Sequence, residues 1–176
     1  MDQIFYVNTD RHIQLVSSFF GNLFPLIQRK EVKSFQENAA LVYFGKFGEG
    51  YEKLVVLDEL DDVVEFRTNT IYELSYVQPD FFLFQVNTFL QDERTLRVAG
   101  VPDLVVEVWS NSNSEAEKTS KFRLYSSSYQ CEHWYLDQNS NDVECYIGTE
   151  MLGTQTIEKT LTTKRGLQFD LSHLVK

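Results

Sequence analysis

The pattern of apolar and polar positions divides the chain into a helical start and a strand-rich remainder. Thr9 or Asp10 is placed to cap a helix that starts near Arg11. Beyond it, Ile13, Val16, Phe19, Phe20 and Leu23 recur at three- and four-residue steps, the spacing of a helix with one buried face. Pro25 is expected to end or bend that helix, because its ring lacks an N–H and crowds the preceding turn. From about Ala40 the period shortens. Residues 40–44 and 54–57 are short β-branched and aromatic runs with Gly45, Gly48 and Gly50 between them, which predicts a hairpin with an irregular loop. Asp58, Glu59, Asp61 and Asp62 read as a solvated turn, and residues 63–76 as extended chain.

Two Pro-Asp steps then introduce apolar runs. Pro79-Asp80 precedes Phe81-Phe82-Leu83-Phe84, which reads as a strand buried on both faces. Residues 91–97 are polar and read as a loop. Pro102-Asp103 opens a second run, Leu104 to Trp109, in which Glu107 is the single acid. Ser114 and Glu117 have the spacing of a capping box, so a helix is expected over residues 115–128. Residues 134–136 and 143–147 read as strands around a turn at 138–141, and that register sets Cys145 opposite Trp134 rather than Cys131. Residues 154–160 and 166–171 predict one or two further strands. Helix, strands, helix, strands is the order of an α/β or α+β fold with a central mixed sheet. Its length of 176 residues suits one domain, 1–176.

Composition changes this picture little, but charge matters. With 14% aromatic residues the chain can fill a substantial core. Sixteen basic against 26 acidic residues give a formal net charge of −10, which argues against non-specific attraction to nucleic acid or anionic lipid. It leaves room for a local basic patch or a divalent-metal site. Two cysteines make no disulfide framework. With no signal-like start and no long apolar run, the expected location is the cytoplasm.

Glu107 is the most informative residue. An ionised carboxylate inside a sheet is costly unless it is paired or binds metal. Alternation puts Asp103, Val105, Glu107 and Trp109 on one face, with Asp103 and Glu107 about 13 Å apart, too far to share an ion. If the strand after Asp80 is a neighbour, Asp80 and Glu107 converge. Two carboxylates with waters and a backbone carbonyl then suit Mg²⁺ or Mn²⁺. The alternative is a Glu107 paired with Arg or Lys. On the following helix, Lys118 and Lys121 share the apolar face of Phe122, Leu124, Tyr125 and Tyr129, while Arg123 points away. Either at least one lysine reaches a buried acid or both run along the core edge to solvent. Carboxylates, a metal and a lysine are together the parts for hydrolysing a phosphodiester.

In order along the chain stand Val77-Gln-Pro-Asp80, Gly100-Val-Pro-Asp103-Leu-Val-Val-Glu107-Val-Trp-Ser110, Lys121-Phe-Arg-Leu-Tyr125 and Glu132-His-Trp-Tyr-Leu-Asp137. This series resembles the Uma-type family of restriction-endonuclease-like proteins, within the PD-(D/E)XK nuclease superfamily. The resemblance is specific from about Val77 to Asp137, and residues 166–171 are similar to the family's C-terminal strand. His12-Ile13 resembles its N-terminal region weakly, and residues 30–76 match poorly. The resemblance implies a restriction-endonuclease-like central mixed sheet flanked by helices. It implies that Asp80 and Glu107 hold Mg²⁺ or Mn²⁺ and that Lys121 completes the catalytic set. The superfamily's usual lysine would stand two residues after Glu107, where this chain has Trp109; in the Uma-type pattern it has moved to the helix. Asp103, Lys118 and Glu117 are expected in supporting positions, with Glu117 also a helix-cap residue. Glu31 and Glu37 are weak candidates for an N-terminal acid. His12 reads as a partly exposed helix residue, with a place near the site as the alternative that its family position implies. His133 reads as a packing residue, and His173 has no partner in the sequence.

The leading expectation is a metal-dependent endonuclease acting on DNA, as a homodimer or with a protein partner and without a membrane. Residues 101–149 weigh against it, with three basic residues (Lys118, Lys121, Arg123) against eight acids. A catalytically silent nuclease-fold interaction module and a hydrolase of a small nucleotide remain as alternatives.

Overall fold

The computed structural model describes residues 2–36, 39–44, 55–57, 63–66, 74–85, 89–92 and 97–176. A long helix, α1 (Asp2–Gln28), opens the chain and passes through Pro25 rather than ending there. The proline lies in the last turn, so the ring forfeits one hydrogen bond near an end that is terminating anyway. The buried stripe of α1 is Leu15, Val16, Phe19 and Leu23. Ile13, expected inside, is exposed at 50%. Val16, Phe19 and Leu23 are buried as predicted, Phe20 is partly buried, and Leu15 takes the place expected for Ile13.

Against α1 packs a six-stranded mixed sheet. Its strands are β1 (Val32–Gln36), β6 (Phe81–Gln85), β9 (Leu104–Trp109), β10 (Glu132–Asp137), β11 (Asp142–Ile147) and β12 (Glu150–Thr156), in that order. Among the described residues of this sheet, only the β9–β10 pair is parallel. A parallel pair needs a crossover, and helix α2 (Glu115–Arg123) with a π-helical turn (Leu124–Tyr129) supplies it. The β10–β11 hairpin sets Trp134 opposite Cys145, as predicted, and both cysteines are free thiols.

A second sheet pairs β5 (Leu74–Val77), β2 (Ala40–Phe44), β8 (Arg97–Gly100) and β7 (Phe89–Asp92). Two expectations fail here. Residues 40–44 pair with β5 and β8, and not in a hairpin with β3 (Val55–Leu57), whose partner is β4 (Val63–Phe66). The polar stretch 91–97 contributes strand positions at both ends. The acidic stretch 58–62 and Glu37 lie outside the described residues. The C-terminal segment adds the short pair β13 (Leu161–Thr162) and β14 (Gln168–Phe169). No helix among the described residues is long and apolar enough to cross a membrane.

Alternation splits the core in two. Phe81, Leu83, Leu104, Val106, Val108 and Trp134 face α1, where Phe19 stacks on Phe81 at 5.6 Å between ring centres. Phe82, Phe84, Val105, Trp109 and Tyr135 face the other way, towards Leu41 and Val98 of the second sheet and Leu124 and Tyr125 of the crossover. Each fully buried large apolar side chain stabilises the fold by about 1.5–3 kcal/mol. Glu107 lies on this second face, in the middle of a strand with every residue buried.

Candidate active site

Strand pairing brings the two acids together. β6 and β9 run antiparallel with Phe81 opposite Val106, so the next step of the register sets Asp80 opposite Glu107. The ladder stops at Phe81, and the Asp80 side chain takes over: its Oδ2 accepts the Val108 N–H at 2.7 Å. Asp103 does the same at the opposite end of the strand pair, where its Oδ2 accepts the Gln85 N–H at 2.5 Å. Its other oxygen is ion-paired with Arg165. The two Pro-Asp steps are thus end clips of one strand pair. Asp80 stands beside Glu107, while Asp103 fixes the far end.

Glu107 is fully buried. Its Oε1 accepts the Tyr125 hydroxyl at 2.5 Å and its Oε2 accepts the Lys121 ammonium at 2.8 Å. Lys121 and Tyr125 are four residues apart, so both descend from one face of the crossover helix. The π-helical turn begins at Leu124, widens the helix there and sets Leu124, Tyr125 and Tyr129 against the sheet. Lys121 also donates to the Gln78 carbonyl at 3.4 Å, and its Nζ lies 5.6 Å from the centre of the Trp109 ring. The α1 helix contributes His12, whose Nε2 is 3.5 Å from Asp80 Oδ1.

The electrostatics follow from burial. Desolvation pushes the Glu107 carboxyl up to about 8; the charge of Asp80 adds to that, and Lys121 and the Tyr125 hydroxyl oppose it. Tyr125 is pushed well above the usual phenol range, first by burial and then by Glu107. Glu107 is therefore poised to hold or release a proton near neutral pH while a fixed ammonium touches it. Asp80 and Lys121 keep 19% and 16% of their side-chain surface exposed, so solvent reaches the group from one side.

Of the supporting residues expected from the sequence, Glu117 lies 3.9 Å from Lys121 and its backbone N–H is capped by Ser114. Lys118 is paired with Glu115 at 3.0 Å and Asp103 is remote from Glu107 along the strand. Glu31 pairs with Arg29 on the surface. His133 is buried between Tyr135 and the Gly148 carbonyl, at 2.8 and 2.9 Å. His173 meets Ser18 at 3.3 Å. Sequence reasoning missed Tyr125 as a neighbour of Glu107, while His12 is partly exposed, as expected, and stands beside Asp80. Tyr125 carried a signal, since it follows Lys121 by one helical turn.

Beside Glu107 stand a second carboxylate, Asp80, whose charge disfavours its ionisation, and the Gln78 carbonyl; oxygen donors of this kind suit a hard cation, while the His12 imidazole bears on Asp80. Among the described residues no group of three or more acid, histidine or cysteine side chains is placed to hold a metal ion. Any cation here would therefore keep waters in its shell, as Mg²⁺ commonly does.

Residues 52–174 match the family profile described as "Uma2: Putative restriction endonuclease". Among solved structures, the chain is similar to the 1.96 Å crystal structure of a "putative nuclease belonging to DUF820" from Anabaena variabilis. The TM-score is 0.59 at 13% identity, over 93% of this chain and 79% of that one, a likeness of fold alone. No curated protein matches the chain.

Proposed function

The chain belongs to the Uma2 family of restriction-endonuclease-like proteins, and from that premise we propose that it is a divalent-metal-dependent nuclease acting on DNA, with Asp80, Glu107 and Lys121 as its catalytic group. The observation that carries this reading is the buried Glu107 carboxyl held by Lys121 at 2.8 Å beside Asp80. A buried acid costs stability. Its retention next to a second acid and an ammonium fits a site that must carry charge.

Asp80 and Glu107 would hold Mg²⁺ or Mn²⁺, which when bound supplies an activated water and a counter-charge for the phosphate. The residues themselves supply position and protons. Lys121 is held by Glu107 and the Gln78 carbonyl at the open side of the site, where an ammonium steadies charge on a scissile phosphate. Tyr125 fixes the Glu107 carboxyl plane from below. His12 bears on Asp80 from α1. The domain extends over residues 1–176 in this reading, because α1 and the C-terminal β14 both pack on the sheet that carries the site.

The test is calorimetric titration of Mg²⁺ and of Mn²⁺ into the wild type and Glu107→Gln, with plasmid nicking measured in parallel. Metal binding and nicking by the wild type, both lost in the variant, are expected. A second reading has its own support: Glu107 already satisfies both oxygens with Tyr125 and Lys121, as in a silent interaction module. Wild-type protein that binds neither ion would establish that module and end the nuclease proposal.

A further inference from the structure

An open groove of about 510 Å³ runs between α2 and the β9–β10–β11 part of the sheet. We propose that it docks an arginine-bearing basic segment of a protein partner. Its floor includes Trp109 and Tyr135, stacked at 5.4 Å and 10°, and its walls include Phe122 and Tyr146, edge to face at 5.1 Å. Asp137, Asp142 and Glu144 line it with exposed carboxylates. Among the described residues none of these three acids is in an ion pair. The groove's one lysine, Lys118, is already paired with Glu115.

Two of the acids are held in place. Asp137 Oδ1 accepts the Asn139 N–H at 2.7 Å, and Glu144 Oε2 accepts the Tyr146 hydroxyl at 3.1 Å. Aromatic rings ringed by fixed carboxylates are complementary to a guanidinium, which stacks on rings and donates in a planar fork to carboxylates. A nucleic acid is the poorer occupant, because its phosphates would meet three uncompensated acids. The groove also adjoins the acid–lysine group, since the Trp109 ring that lines it lies 5.6 Å from the Lys121 ammonium. A basic segment seated there brings positive charge to a region holding three basic residues against eight acids. The groove stands independently of whether the chain cleaves DNA.

The probe is a labelled peptide of alternating arginine and alanine, followed by fluorescence anisotropy over a salt series with the full chain. Wild type is expected to bind at low salt, and Asp137→Asn/Glu144→Gln to bind about tenfold or more weakly through loss of charge-assisted hydrogen bonds. A charge-matched control, Glu150→Gln/Glu158→Gln, removes exposed acids outside the groove and should bind like wild type. The lysine counterpart of the peptide should bind several-fold more weakly than the arginine form. All four replaced acids are exposed, and thermal melting checks that each variant folds. The proposal fails if wild type does not bind, if both double variants lose affinity equally, or if lysine equals arginine. Competition for the same groove by a single-stranded oligonucleotide would replace it with a base-stacking site. Groove-dependent self-association in sedimentation would assign it to a second copy of the chain.

Discussion

Lys121 and Glu107 meet at 2.8 Å although one stands on a solvent-facing helix and the other at the centre of a fully buried strand. The pair joins the crossover helix to the sheet, and Tyr125, one turn further on, touches the same carboxyl. Separating stability from function at this pair is straightforward. Glu107→Gln keeps the shape and removes the buried charge, but its amide has one acceptor oxygen, enough for the Tyr125 hydroxyl. Its NH2 group cannot accept from Lys121, whose ammonium can turn to solvent; above neutral pH the variant should cost less stability than Lys121→Ala. Lys121→Ala leaves the carboxyl with Tyr125 alone and should cost about 1–3 kcal/mol. Chemical denaturation of the two variants at the same pH checks the order.

The pH dependence has a definite sign. The Glu107 carboxyl lies near 8 in the folded chain against 4.5 as its ordinary value. Between these values the folded state binds a proton that the unfolded state has released. Stability therefore falls as pH rises from about 4.5 to about 8, and the burial penalty is fully present above that window. Below 4.5 both states are protonated and the penalty vanishes. In chelator-containing buffer, Glu107→Gln should lose this decline, so the stability of the variant relative to wild type should rise towards pH 8. Denaturation midpoints at several pH values measure it, and a constant gap would mean that Glu107 ionises normally.

Asp80 and Asp103 are chemically alike but should separate in experiment. Each clips one end of the β6–β9 pair by accepting a backbone N–H. Asp103→Ala should cost about 1–3 kcal/mol of stability by leaving the Gln85 N–H without its acceptor, and should leave divalent-ion binding intact. Asp80→Ala should lose stability and ion binding together. Asp103→Asn retains an acceptor oxygen and should recover part of the loss. Urea denaturation and metal calorimetry on the same samples distinguish the two roles.

The parts of the site legible in the sequence were those set by local periodicity. An acid inside an apolar strand and a lysine on the apolar side of a helix are visible without knowing which strands pair. Pairing itself was not visible. Residues 40–44 found partners at 74–77 and 97–100, and nothing in a local pattern chooses those over the nearby 55–57. Gln91 and Asp92 read as loop because they are polar, yet β7 is an edge strand, where polar residues are tolerated. In α1 Val16, Phe19 and Leu23 are buried as expected, but Ile13, a strong hydrophobe one step from Val16, drew the predicted stripe away from Leu15, which is the buried residue there.

The last prediction concerns DNA. Metal-dependent nicking of supercoiled plasmid is expected to be weak and confined to low salt for the isolated chain. Non-specific affinity for duplex comes from neutralised phosphates, and each contact adds about 0.9 to the slope of log affinity against log salt. Lys118, Lys121 and Arg123 are the basic residues of the motif region, and two of them already face Glu115 and Glu107. The slope should therefore be about 3 or less, shallow for a DNA-binding protein. Chelation should abolish the activity, and Asp80→Ala, Glu107→Gln and Lys121→Ala should each do so nearly completely. Their double combinations should add little, because residues acting as one unit do not lose activity additively. Equal nicking by wild type and Glu107→Gln would trace the activity to a contaminant. Strong cleavage at physiological salt would show that basic residues distant in sequence assemble a phosphate-binding surface, and scanning the arginines and lysines outside residues 101–149 for salt-slope changes would find it.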